Sequence, residues 1–157
     1  AACEQLWKQR KDFELIVTSD PPQKQHEFAK YIGWKSQIEL PLCYRHCDLC
    51  AVPTIVPDGL SRTSVEAMAS GLPVIGSRIG GLPYSVSDQE TGILCQPEDV
   101  DDWTSKLNRL MDQPELLRIY GKQGRAIFEE RFRWNDVINR DYQRLFSKSN
   151  QHNVVAK

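Results

Sequence analysis

The chain encodes a doubly wound α/β domain on a parallel sheet, and three observations carry that expectation. Short β-rich runs alternate with helical patterns along most of the sequence. Several of the runs are nearly continuous in apolar residues, as strands covered on both faces are. Glycine, proline and aspartate mark the joins between them, and strands alternating with helices form right-handed βαβ units with parallel strands. A length of 157 residues suits one such domain.

Residues 1–12, with Leu6 and Trp7 in a polar background, read as a helix leading into the first strand. Residues 13–18 (FELIVT) are that strand, stopped by Ser19-Asp20-Pro21-Pro22. A polar, helix-prone stretch over 23–30 follows, and the apolar run at 49–52 is a strand covered on both faces, ending at about Pro53. A helix begins near Thr63, because Val65, Met68, Ala69 and Leu72 fall at i, i+3, i+4 and i+7. Val74-Ile75-Gly76 and the run at 92–95 are two further strands. An acidic start at 98–102 suits a helix N-terminus, and Trp103, Leu107, Leu110 and Met111 make one apolar stripe behind it.

Pro114 opens the next helix, which runs through Leu117, Tyr120 and Phe128. Gly121 and Gly124 weaken its middle by up to ~1 kcal/mol each, so a bend or break is expected there. A third helix is expected over 135–148, with Ile138, Tyr142 and Leu145 on one face, and a frayed tail over 149–157. A doubly wound domain ordinarily has a strand before its first helix. The expectation is therefore one domain over 1–148 that begins inside the fold.

Composition narrows the function. Lys and Arg total 20 against 21 Asp and Glu, a net charge of −1, with 26% charged and 40% hydrophobic residues. That balance argues against disorder and removes the electrostatic reason to expect a nucleic-acid partner. No apolar run approaches the ~18 residues a membrane-spanning helix needs. Five cysteines are too few for a disulfide scaffold, so a reducing, cytoplasmic compartment is expected.

The chemistry concentrates in residues 57–74 (PDGLSRTSVEAMASGLPV). A strand, a glycine-bearing loop and a helix start place free amides at the C-terminal edge of the sheet, where open α/β sheets bind ligands. Hydrogen bonds from such amides to charged oxygens are worth about 1.5–3 kcal/mol each, so two or three could hold a diphosphate. Asp58 before the helix and Glu66 in its first turns can approach one ligand. Two readings of Glu66 stay open here. Thr63-Ser64-Val65-Glu66 also fits a capping box, in which Glu66 serves only its own helix. Asp58-Gly59 is likewise an ordinary turn pair, and Arg62 an ordinary solvated side chain.

Over about residues 6–146 the chain resembles the C-terminal, donor-binding domain of GT-B glycosyltransferases, the large retaining group (glycosyltransferase family 4) with an E-x7-E motif. The family pattern E-G-[FL]-x5-E-A-M-A-x-G-x-P-V meets Asp58-Gly59-Leu60, Glu66-Ala67-Met68-Ala69, Gly71, Pro73 and Val74. The likeness extends upstream through Tyr31-Ile32-Gly33-Trp34, Glu39-Leu40-Pro41, Tyr44-Arg45 and Asp48. Downstream it runs through Gly80-Gly81-Leu82-Pro83, Thr91-Gly92-Ile93-Leu94 and Pro114-Glu115-Leu116.

The resemblance implies a Rossmann-like lobe of a GT-B fold, with a helical C-terminal segment, in a hexosyltransferase of the kind used in polysaccharide biosynthesis. The donor would be a nucleoside-diphosphate sugar, UDP-glucose by family frequency, and the acceptor a saccharide or a lipid-linked group. Glu66 would bind the ribose hydroxyls and Asp58 the donor sugar. The backbone of Gly59, Leu60, Ser61, Arg62 and Thr63 would face the sugar and diphosphate, Trp34 and Lys35 would border the base, and Thr18-Ser19 would form a nearby strand-end loop. Such contacts require no metal and no further cofactor.

Two departures matter. Asp58 stands where the family usually has Glu, a loss of reach of about 1.5 Å. The family's diphosphate-gripping Arg and Lys lie in a strand and loop that would precede residue 1, and Lys8, Arg10 and Lys11 are not at the matching place. The family's partner lobe, an N-terminal GT-B domain, is likewise expected outside these residues. The isolated chain is thus expected to be inactive, and any contact with the inner membrane face to come through that other part.

A non-catalytic nucleotide-sugar-binding module of the same fold is the alternative. A third reading comes from Cys43-x3-Cys47-x2-Cys50, the spacing of an iron–sulfur site, with His46 beside it as a zinc candidate. Buried reduced cysteine is the default for such positions. His26 and His152 read as surface residues, and Trp103 and Trp134 as core anchors.

Overall fold

The structure is a computed structural model that describes residues 1–142. Helix α1 (Ala2–Trp7) leads to β1 (Leu15–Val17) and β2 (Ala29–Tyr31), then α2 (Leu40–Arg45) and β3 (Cys50–Val52). Next come α3 (Arg62–Ala69), β4 (Val74–Ser77), the short α4 (Leu82–Ser85) and β5 (Gly92–Cys95). The chain continues through α5 (Val100–Met111), α6 (Pro114–Arg131), α7 (Trp134–Val137) and a π-helical turn at Ile138–Tyr142. All strand pairings are parallel. β1 pairs with β2 in one sheet, and β3, β4 and β5 lie in that order in a second.

Side-chain alternation along the second sheet builds two cores. Val74 and Leu94 join Cys50, Val52, Ala67, Met68, Leu72, Leu82 and Val86 on one face. Ile75, Ile93 and Cys95 join Leu6, Trp103, Leu107, Leu110 and Tyr120 on the other. Successive strand residues point to opposite faces, so β4 and β5, buried at every position, feed both. This is the doubly wound arrangement expected. β3 differs, because Ala51 is exposed between buried Cys50 and Val52.

The ends of the elements follow local chemistry. Ser61 caps α3 by accepting the Ser64 amide at 3.3 Å, and Asp99 caps α5 by accepting the Asp102 amide at 2.9 Å. α3 closes on Gly71, at φ +73°, with Leu72 N–H donating to Ala67 O and Gly71 N–H to Met68 O. That paired C-terminal pattern turns the chain sharply into β4.

Several expectations are corrected. The stretch 23–30 is not helical: it leads into β2, because residues 29–31 pair with β1 and Phe28 is buried in an aromatic cluster. There Trp7 and Phe13 meet edge to face at 5.3 Å, and His26 stacks on Phe28 at 4.9 Å. His26 is therefore a half-buried packing residue. Trp103 is the expected anchor, but Trp134 is 67% exposed and packs near Tyr142. The third helix starts one residue early as α7 and passes into the π-helical turn. Leu145, His152, the tail at 149–157 and the boundary at 148 lie outside the described residues.

Helix α6 runs unbroken through its glycines. Its first turns pack Leu116, Leu117 and Tyr120 on one core, and its last turns pack Ile127 and Phe128 on the other. Between them it passes beneath the start of β4. A methyl group on Gly121 would overlap the Gly71 carbonyl oxygen and come within 3.2 Å of Pro73 Cδ. One on Gly124 would meet Met68 Cγ at 3.5 Å, an ordinary contact.

The two glycines should therefore respond oppositely to alanine. Gly124→Ala gains helix propensity and should stabilise by up to ~1 kcal/mol. Gly121→Ala should destabilise by about 1–3 kcal/mol, as overpacking does, despite the same gain in propensity. Urea unfolding midpoints of the two variants check this.

Candidate functional site

Parallel strands deliver their C-terminal ends to one edge, and the loops there line an open cavity. It holds about 320 Å³ and is lined by Thr18, Gln37, Leu40, Tyr44, Arg62, Thr63 and Glu66. Thr18 follows β1 directly. Arg62 and Thr63 form the first turn of α3, whose leading amides have no acceptor within the helix. Gln37 and Leu40 come with the entry to α2, which is braced by a reciprocal pair. Ser36 Oγ accepts the Glu39 amide at 3.4 Å while Glu39 Oε2 accepts the Ser36 amide at 2.9 Å. The Ser36 hydroxyl, donating to Glu39 Oε2 at 2.6 Å, and then the Ser36 amide hold the Glu39 carboxyl below the usual carboxylate range.

The reciprocal Ser-x-x-Glu pair thus occurs in the turn before α2, at Ser36–Glu39, not at Thr63–Glu66. Ser61 caps α3 with its own hydroxyl, which leaves Glu66 for other partners. The Tyr44 hydroxyl donates to Glu66 Oε2 at 3.1 Å, and Arg62 Nη2 lies 3.4 Å from Oε1. Glu66 is half-buried and faces the cavity.

Asp58 is held by different means. Its loop lies against the Gly80–Gly81 turn, where Gly81 N–H donates to Asp58 O at 2.9 Å. A side chain on Gly80 would strike the Asp58 backbone, and one on Gly81 the Gly59 carbonyl. Asp58 itself is exposed, and its Oδ1 accepts the Gly59 amide at 2.7 Å.

Of the residues expected at the site, the cavity brings together Thr18, Arg62, Thr63 and Glu66. Asp58, Gly59, Leu60 and Ser61 form the loop entering α3 and are not among its lining residues. Ser19 links the neighbouring loops, its carbonyl accepting Gly33 N–H at 3.2 Å. Trp34, 79% exposed, and Lys35 lie on the loop between β2 and α2, also outside the lining. Gln37, Leu40 and Tyr44 were given no role from sequence. For Tyr44 the available signal was the Tyr44-Arg45 pair within the family likeness. Arg10, already set aside, bonds Asp12 and Asp112 at 2.7 Å each, tying the start of the chain to the end of α5.

Cys47 and Cys50 are packing residues. Cys50 is buried in the first core, and burial pushes its thiol up to about 12. Cys47 packs against the same core with its thiol raised, again chiefly by burial. Among the described residues no group of three His, Cys, Asp or Glu is placed to hold a metal ion. The iron–sulfur and zinc readings are thereby withdrawn. No helix among the described residues is long and apolar enough to cross a membrane.

Comparison with known proteins agrees with this architecture. The chain is 41% identical over 103 residues to the MMP alpha-(1->4)-mannosyltransferase of Mycolicibacterium hassiacum, a match over 65% of this chain and 25% of that protein. It is 35% identical over 124 residues to the sulfoquinovosyl transferase SQD2 of Arabidopsis thaliana, covering 77% of this chain and 23% of that protein. The chain therefore spans about a quarter of the length of these curated relatives. Among solved structures, Anabaena HepE in complex with UDP superposes with a TM-score of 0.69 at 25% identity, covering 78% of this chain and 32% of that one. The family model described as "Glycosyl transferases group 1" matches residues 2–127, which takes in both cores and every loop at the cavity. The βαβ order, the loop entering α3 and the matched span lead to one assignment: this chain belongs to the glycosyl transferases group 1 family.

Proposed function

We propose that the chain is the nucleotide-sugar-binding lobe of a retaining GT-B glycosyltransferase. It holds a nucleoside-diphosphate hexose, with UDP-glucose the first donor to test, beside a saccharide or lipid-linked acceptor presented by an N-terminal GT-B domain. The observation that carries the reading is the cavity at the strand ends, which gathers Glu66, Arg62, Thr63 and Thr18 beside the first turn of α3. The UDP complex of HepE, a structure alike in fold and 25% identical, supports it.

In this reading Glu66 accepts hydrogen bonds from the ribose hydroxyls. The leading amides of α3 face the diphosphate, where the helix end carries about half a positive charge. During transfer the bond from the anomeric carbon to the diphosphate oxygen breaks, a bond to the acceptor hydroxyl oxygen forms, and the hydroxyl proton passes to the departing diphosphate. Amides aimed at the departing diphosphate stabilise the charge that develops there. Asp58 meets the donor sugar from the Gly80–Gly81-braced loop, and Trp34 with Lys35 borders the base. On this reading the enzyme works in the cytoplasm, and any contact with the inner membrane face is made by other parts of the protein.

Glu66→Gln preserves size and a hydrogen-bond acceptor for Tyr44 but removes the charge. It should weaken UDP binding by about 1–3 kcal/mol while lowering unfolding stability by under ~1 kcal/mol. Titration and urea unfolding of one preparation read both. Equal losses would make Glu66 a structural residue.

Orienting an acceptor against the anomeric carbon is worth about 7–11 kcal/mol in favourable cases, and one lobe does not supply it. The 157-residue chain should bind UDP weakly, at high micromolar to millimolar dissociation constants, about −4 to −6 kcal/mol. It should show no transfer, and fusion to an N-terminal GT-B domain should restore turnover. Multiple-turnover transfer by the chain alone would refute the half-enzyme reading.

A further inference from the structure

Glu66 enters the cavity on a flexible side chain, and the two groups that meet its carboxylate differ in stiffness. Arg62 reaches it along the same helix at 3.4 Å, from a side chain 75% exposed. Such i,i+4 surface pairs contribute little and give way easily. Tyr44 reaches it from another element, its hydroxyl 3.1 Å from Oε2. The Tyr44 ring packs against the core that contains Cys50, Val52 and Met68, so the fold sets its position. Helix α2 beneath it is fixed at its entry by the Ser36–Glu39 pair. Burial, with Cys50 and Glu66 nearby, raises the Tyr44 hydroxyl above the ordinary phenol value, so it is a donor at neutral pH.

We infer that Tyr44 is a positioning residue: its hydroxyl holds the Glu66 carboxylate in the orientation that receives the vicinal ribose hydroxyls of the donor nucleotide. The inference rests on the proposed reading of Glu66 as the ribose acceptor. An ionised carboxylate offers about four lone-pair sites. Tyr44 takes one and Arg62 another, which leaves a pair for two adjacent hydroxyls. Without the Tyr44 hydroxyl, Glu66 must be ordered when ligand arrives, and that ordering subtracts from affinity. The loss falls on the hydroxyl contacts and spares those to the diphosphate.

The test uses the 157-residue chain, its Tyr44→Phe and Glu66→Gln variants, and NMR titration with UDP, GDP and ADP. The tightest of the three is then compared with its 2′,3′-dideoxy counterpart, which lacks both ribose hydroxyls. Tyr44→Phe should weaken the parent nucleotide about three- to tenfold and leave the dideoxy form within about twofold of wild type. A merely structural role would weaken both alike. Equal weakening, or none, overturns the inference about Tyr44 while leaving Glu66 as the ribose acceptor if Glu66→Gln still narrows the ratio. A wild-type chain that binds none of the three, or binds both forms equally, overturns the reading of Glu66 and the role of Tyr44 with it.

Discussion

The rest of the molecule depends on the parallel pairing of β4 between β3 and β5. Because β4 and β5 are buried on both faces, they divide the apolar side chains between two cores, and each core then needs its own helices. α3 and α4 cover one face, and α1 and α5 the other. α6 crosses from one to the other beneath the strand starts. Parallel strands need these long returns, and the returns bring every strand end to one edge. The cavity lies at that edge, with Thr18 after β1 on one wall and Arg62, Thr63 and Glu66 of α3 on the other.

Backbone close approach is how the elements are locked. Gly121 lets α6 press on the turn that starts β4, and Gly81 lets the turn after β4 press on the Asp58 loop. In both places a helix or loop meets main chain directly, with no side chain between them. Long helices packed through side chains leave room to slide, whereas these contacts leave little. The loop that enters α3 inherits its position from the sheet through one such contact, and the Gly81–Asp58 hydrogen bond adds to it.

Much of this was legible in the sequence because it is local. The 3.6-residue period of α3, the acidic cap and apolar stripe of α5, and the proline that opens α6 all act within a few residues. What was not legible is set by partners distant in the chain. Residues 29–31 join β1 through a pairing that a polar window does not reveal. Gly121 looks like a helix weakness until the Gly71 contact is seen, whereas Gly124 remains one. Glu66 fits a capping pattern by spacing, yet Ser61 wins the cap and Tyr44, 22 residues upstream, takes the carboxylate. Trp134 is large and apolar yet stays 67% exposed, with Tyr142 as its ring neighbour.

The two acids at the edge are held by different kinds of structure, and that bears on how the site can change over evolutionary time. Asp58 is fixed by main chain against glycine, so nearly any replacement at Gly80 or Gly81 moves it, and few neutral routes lead away from the present arrangement. Glu66 is held by two side chains, Tyr44 and Arg62, each replaceable by single substitutions that leave the backbone in place. Change at this edge therefore has an open path on the Glu66 side and a nearly closed one on the Asp58 side. Lineages carrying this domain should diversify there unevenly, conserving the Asp58 loop while exploring the surroundings of Glu66.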